Sequence, residues 1–299
     1  MDLQNKAAVI GGLNADIWGR PFGPIILRDS NPGSVTLTPG GVGRNIAHDL
    51  CLLGLDVSLV SAVGDDSNGE FLLDRCRGLG MDVSRVRVVP GARSSSYLYI
   101  TDERGDMQLA VNDMAVCNEI SPEYLERVLP GIQAGALVLD TNLPVESLEF
   151  ICRSSCIPLY ADPVSSVKAM KLHGVMKHLR AIKPNALEAA ALTGQTDPEL
   201  AARALIDEGV QRVFISLGTN GMIAAEGSRI LRMPSPEANV VNATGAGDAA
   251  MSAIVWADLH GLSLEDSARA AQLAGAITCA SEESNAPELS RLPGLLAAE

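Results

Sequence analysis

Short, mainly apolar runs alternate along the chain with longer stretches in which apolar positions recur at helical spacing. The runs at 7–10, 57–63, 136–139, 158–161, 181–182 and 213–216 are bounded by Gly, Pro, Asp or Asn. Runs of this kind suit strands buried on both faces, as in a parallel sheet. Between them the pattern predicts helices over 45–53, 69–79, 122–129, 145–152, 185–192 and 199–208. Strand–helix alternation points to right-handed βαβ units and an open, doubly wound α/β fold. Two segments break the rhythm: 17–38 has no helical period, and 94–111 alternates like a hairpin around Asp102–Asp106. Both read as antiparallel strands projecting as a small lid, formed by about 15–38 and 94–112. Strand-like 221–225 and 228–233 follow, then two apolar helical patterns at 247–260 and 264–281. With no long linker, repeat or low-complexity tract, 1–299 reads as one domain carrying an inserted lid.

Composition narrows the function classes. The 299 residues include 23 Lys and Arg against 36 Asp and Glu, a net charge of −13. Such a chain lacks the basic footprint that nucleic acid or an anionic membrane demands, so neither is expected as a partner. Aromatic residues are only 3%, which argues against rows of stacking platforms for single strands and for an aliphatic core. No secretory signal and no membrane-spanning stretch is evident, so a cytoplasmic location is expected. Six scattered cysteines form no CxxC pair and have no His–Cys cluster beside them; they read as small buried hydrophobes.

The sharpest local signal is Asn242-Ala243-Thr244-Gly245-Ala246-Gly247-Asp248. The glycines free the backbone to turn and to approach a ligand. A helix starts at once, so unpaired N–H groups and the positive end of its dipole face that ligand. Asp248 lies in the first turn, and alone the motif reads equally well as a helix cap. Flanking motifs decide. Gly12-Leu13-Asn14-Ala15-Asp16, Gly40-Gly41-Val42-Gly43-Arg44-Asn45, Lys183-Pro184-Asn185-Ala186-Leu187-Glu188 and Ser216-Leu217-Gly218-Thr219-Asn220-Gly221 precede it in that order. Together the five segments resemble the ribokinase-like (PfkB) carbohydrate kinases over nearly the whole chain. Competing motifs fail: there is no completed G-x-G-x-x-G, no Walker A segment and no G-x-S-x-G.

The resemblance implies a three-layer α/β/α fold with a mostly parallel central sheet and a small projecting β-sheet lid. It also implies ATP as phosphoryl donor and Mg²⁺ as cofactor. Gly245, Ala246 and Gly247 would form the anion hole and Asp248 the catalytic base. Asn14, Asp16, Gly40, Gly41, Gly43 and Asn45 would bind the acceptor. Asn185, Ser216, Gly218, Gly221 and Thr244 would face the nucleotide, and Glu188 would hold Mg²⁺ through water. Helix N–H groups near Asp248 are expected to lower its pKa and keep it ionised. The Asn185–Glu188 pair reads, on its own, as a capped and solvated helix start. Asn242 stands where many of these kinases carry Asp, which leaves a monovalent-cation site open.

Smaller features resemble the pseudouridine kinase branch: Asp29-Ser30-Asn31-Pro32-Gly33, the Gly105–Met107 and Asn112–Met114 segments, and Asp162 to Lys168. That resemblance implies phosphorylation of the 5′-hydroxyl of a nucleoside, pseudouridine, with Ser30, Asp113 or Lys168 meeting the base. Each has a plainer rival: turn former, strand cap and solvated helix charge. Arg44 reads as an outward-facing helix residue. Another nucleoside or ribose is the alternative acceptor, and a non-catalytic sugar- or nucleoside-binding protein the alternative class. An exposed lid bearing Ile17, Trp18, Tyr97, Tyr99 and Ile100 needs cover, so a homodimer through the lids is expected.

Overall fold

The apolar runs become the middle of one large sheet. A computed structural model describes residues 3–297. Its strands are β1 (Lys6–Ile10), β2 (Asn14–Pro21), β3 (Gly33–Gly40), β4 (Asp56–Gly64), β5 (Asp82–Val89), β6 (Ser96–Thr101), β7 (Met107–Asp113), β8 (Ala136–Asp140), β9 (Leu159–Asp162), β10 (Leu179–Ile182), β11 (Arg212–Ser216), β12 (Met222–Glu226) and β13 (Arg229–Met233). The helices are α1 (Val42–Leu52), α2 (Ser67–Gly78), α3 (Pro122–Val128), α4 (Val145–Ser154), α5 (Ser166–Ala169), α6 (Ala186–Thr193), α7 (Pro198–Asp207), α8 (Ala246–Leu259), α9 (Leu264–Cys279) and α10 (Leu292–Ala297). The large sheet runs β13-β12-β11-β10-β9-β8-β1-β4-β5, parallel except for the antiparallel pair β12 and β13 at one edge.

Alternation along the strands divides the core in two. Val9, Leu59, Val138 and Phe214 pack under α1, α2, α8 and α9. Ile10, Val60, Leu139 and Ile215 pack under α3, α4, α6 and α7. Helices therefore cover both faces, and the carboxyl ends of the parallel strands share one edge, where α/β sheets bind ligands.

β3-β2-β6-β7 form the small second sheet. Its β2–β3 and β6–β7 pairs are antiparallel, but β2 and β6 run parallel, unlike the all-antiparallel expectation. The chain between them passes through β3, α1, β4, α2 and β5, a connection long enough for a parallel pairing. Cys156 is exposed rather than buried, and all six cysteines are free.

The turn into α1 fixes how the sheets meet. Gly41 has φ +101°, and a Cβ there would stand 2.4 Å from the Gly12 carbonyl oxygen. Gly41→Ala is expected to cost about 1–3 kcal/mol from backbone strain alone, before the collision is relieved. Urea unfolding checks this; an unchanged midpoint would show that the turn is adaptable.

Candidate active site

Two carboxylates and one lysine stand at the strand ends. β8 closes on Asp140 and β9 on Asp162, and these two residues pair in register. Lys183 follows β10, is buried, and its Nζ lies 3.2 Å from Asp162 Oδ2. A Cβ at Gly247 would stand 3.2 Å from the same Nζ, so the ammonium sits against the first turn of α8. Burial opposes the charge on Lys183, but the joint field of Asp162, Glu188 and Asp248 raises its pKa.

Gly245 caps α8 at φ +84°, a conformation that a Cβ would obstruct 1.9 Å from Ser284 O. The N–H groups of the first helical turn have no intrahelical acceptors and are aimed along the dipole. Asp248 lies in that turn and meets Asn45 from α1, whose Nδ2 donates to Asp248 Oδ2 at 2.7 Å. Contrary to expectation, the pKa of Asp248 is pushed up to about 7. Burial is the largest cause and Asp162 adds to it, while the Asn45 hydrogen bond, Lys183 and Arg44 pull the other way. Desolvation together with Asp162 outweighs the Asn45 hydrogen bond and the two cations.

Toward the small sheet, the Asn14 side chain donates to Asp16 Oδ1. Burial raises the Asp16 pKa to about 6 against the pull of Arg44 and Asn14. Asp140 holds this region together: its Oδ2 accepts N–H groups from Gly12 and Gly43, both at 2.8 Å. Gly40 and Gly41 close the turn between Asp16 and Asn45. Arg44 is not outward-facing but buried. Its Nη1 donates to Asn285 Oδ1 at 2.9 Å and its Nη2 to Pro39 O, because α1 begins between the glycine turn and the C-terminal segment.

On the other side, Asn185, Ser216 and Gly218 line a cavity of about 450 Å³, with Leu187, Asn220 and Arg232. Asn185 and Glu188 form a capping box: Asn185 Oδ1 accepts the Glu188 N–H, and Glu188 Oε2 accepts the Asn185 N–H, both at 2.9 Å. The cap is as expected, but Glu188 is buried, not solvated. Gly221 does not line this cavity and is packed against Met233 O, and Thr244 is exposed, its N–H held by Asn242 Oδ1.

The base-edge candidates separate. Lys168 Nζ donates to Asn142 Oδ1 at 2.6 Å, just beyond β8. Ser30 is exposed in the β2–β3 turn, its N–H bound by Asp29. Asp113 accepts the Ala115 N–H, the strand-cap role. Its register neighbours are Ser96 and, beyond it, Ala15, so alternation puts Asn112 rather than Asp113 on the sheet face of Asp16.

Asp140 lies in none of the motifs, and Asp162 and Lys183 head segments of resemblance in which no role falls to them. Their signal is positional: each polar residue ends or follows a buried parallel strand, at the edge where ligands bind. Asn285, which also donates to Asn45 O and Asp49 Oδ1, carries no such signal.

A family model for the pfkB family carbohydrate kinases matches residues 4–291. The chain is 37% identical to the pseudouridine kinase of Escherichia coli K12, over 97% of this chain and 95% of that protein. It is 36% identical to an uncharacterized sugar kinase, YeiI, of the same bacterium, over 96% of this chain and 82% of that one. Its fold is shared with Arabidopsis thaliana ribokinase complexed with ribose and ATP, at a TM-score of 0.81, 22% identity and 98% coverage of both chains. The chain belongs to the pfkB family of carbohydrate kinases.

Proposed function

We propose that this kinase transfers the γ-phosphoryl group of ATP to the 5′-hydroxyl of pseudouridine, giving pseudouridine 5′-phosphate and ADP. The contact between Asn45 and Asp248 carries the reading. It joins the glycine turn before α1 to the first turn of α8, an arrangement in which an acceptor hydroxyl, its base and an anion hole would share one point. Asp248 accepts the proton of the attacking hydroxyl as its oxygen bonds to phosphorus and the bond to the β-phosphate oxygen breaks. The N–H groups of Gly245–Gly247 receive the γ-phosphoryl oxygens as their charge shifts. Asp16 and Asn45 hold ribose hydroxyls, and Lys168, steadied by Asn142, reaches a uracil carbonyl. Asn185, Ser216 and Gly218 face the nucleotide.

The crevice fits Mg²⁺. Glu188 is a buried carboxylate with Asp162 in the same electrostatic field. Among the described residues no three His, Cys, Asp or Glu side chains group into a metal cage. Glu188 would hold through water an ion that keeps most of its waters and takes phosphate ligands. When bound, Mg²⁺ supplies charge neutralisation along the phosphates.

Similarity to the E. coli pseudouridine kinase favours pseudouridine, and the near-equal similarity to YeiI favours a wider sugar or nucleoside range as the second reading. ADP release with Mg-ATP and pseudouridine, uridine, ribose or no acceptor separates them. Turnover with pseudouridine far above uridine is expected. Preference for ribose or uridine would keep the kinase and discard the substrate, and binding without ADP release would point to a non-catalytic protein.

The assembly follows from the small sheet. One face carries Ile17, Leu37, Val35, Leu98, Leu109 and Val111 in register, and Val35 is 76% exposed. Aliphatic cover of that extent is best supplied by the same face of a second copy. Light scattering at micromolar concentration is expected to give the dimer mass, and a monomer mass would contradict it.

A further inference from the structure

The other face of the small sheet has a different chemistry. β2 and β6 pair Asp16 with Tyr97 and Trp18 with Tyr99, so these four side chains project from one face. Trp18 and Tyr99 lie 6.2 Å apart between ring centroids at an interplanar angle of 8°, and Tyr97 and Tyr99 lie 5.5 Å apart. The whole chain has two Trp, four Tyr and four Phe, and three of these ten stand in this one ladder. None belongs to either aliphatic core, and all three are only half-buried. The Trp18 indole is pinned by its Nε1, which donates to Thr101 Oγ1 at 2.9 Å. The ladder is therefore a held, open π surface, separate from the aliphatic face behind it.

We infer that Trp18, Tyr99 and Tyr97 form the wall against which the heterocyclic base of the acceptor stacks, making this face the element that selects a nucleoside over a free sugar. The inference rests on the reading of the site as a nucleoside kinase. Asp16, the ribose-binding candidate, begins the same row, so a base attached to that ribose projects along the face that the aromatic rings occupy. A flat heterocycle gains from such a surface whatever its edge pattern, whereas ribose offers no π face. Hydrogen bonds elsewhere then choose among bases, and the ladder chooses bases over none.

Steady-state kinetics and binding test this together. Tyr99→Leu is expected to raise the KM for pseudouridine about tenfold, the equivalent of one lost stacking contact, with kcat changed less than about threefold. Tyr99→Phe, which keeps the ring, is expected to restore the wild-type KM. In a Trp256→Phe background Trp18 is the remaining tryptophan, and pseudouridine without ATP is expected to quench its fluorescence while ribose does not. Trp256 lies in α8 and stacks on His260, outside the ladder, so the titration reads the folded, intact ladder even where Tyr99→Leu is unstable. Wild-type turnover of pseudouridine with an unchanged KM in Tyr99→Leu, or with silent Trp18 fluorescence, would overturn the ladder and leave the substrate reading standing. A KM defect that Tyr99→Phe fails to repair would also overturn it, because the ring would not be the part that acts. A wild-type enzyme that neither binds nor phosphorylates any nucleoside would overturn both readings.

Discussion

Replacing Asp248 by Asn is expected to lower kcat about 10³-fold, within the range that general-base catalysis contributes, while nucleotide and nucleoside affinities stay within about threefold. Asn is nearly isosteric, and its side-chain oxygen still accepts the Asn45 amide, so the floor of the cleft is preserved and only proton acceptance is lost. Rapid-quench measurement of ADP formation, paired with calorimetric binding, separates the two effects. Turnover near the wild-type level would remove Asp248 from the base role. The wild-type pH profile provides a second check. Several groups face this carboxyl: Asp162 from β9, Lys183 after β10, and Arg44 and Asn45 from α1; Asp49, also on α1, feels its charge. Burial and Asp162 win, and Asp248 titrates near 7. A base must be deprotonated, so kcat/KM of the free enzyme should fall below about pH 7 along an acid limb. In Asp248→Asn that limb should vanish from the residual rate.

That raised pKa marks where sequence reasoning stops. The motif Gly245-Ala246-Gly247-Asp248 reveals a helix start and a carboxylate, and the dipole argument then lowers its pKa. What reverses the sign is depth and the nearness of Asp162, 86 positions earlier in the chain, and neither has a local signature. The same limit hid Arg44. Its place in the first turn of α1 reads as outward until Asn285, from the far end of the chain, is found folded over it. Strands buried on both faces, such as β8 and β11, are legible because their apolar runs are unbroken. Edge strand β5 has no unbroken apolar run to mark it, because Asp82–Val89 sets Ser84, Arg85 and Arg87 between its valines and shifts register along β4. The small sheet's segments are legible as breaks in the βα rhythm, but the parallel β2–β6 register is not. That register decides that Ile17 and Ile100 leave the sheet on one side and Trp18, Tyr97 and Tyr99 on the other. Grouping them as one apolar surface merges an aliphatic face with an aromatic one.

Lys183→Met is expected to cost about 3–5 kcal/mol of stability at pH 8, the range for removing one partner from a buried ion pair, and distinctly less at pH 6. Methionine is close in length and apolar, so it fills the space against α8 without the charge. Asp162, Glu188 and Asp248 then face one another without the ammonium among them. The native state answers by binding protons: Asp248, already near 7, moves higher, and the Glu188 pKa, already raised, rises further. Acids whose pKa values are higher in the folded than in the unfolded chain bind more protons when folded, so stability falls as pH rises between those values. The wild-type lysine adds no slope of its own in this window. Its raised pKa keeps its contribution complete below the unfolded value near 10.5, well above pH 8. Urea unfolding of both proteins at pH 6 and pH 8 reads the difference directly. Equal destabilisation at the two pH values would mean that Lys183 acts through packing alone. A pH-dependent loss, joined to an acid limb displaced above 7 in whatever activity remains, would show that one ammonium keeps the base usable at neutral pH. The same charge that offsets repulsion in the carboxylate crevice thus also holds the Asp248 pKa below the value to which burial and Asp162 would take it.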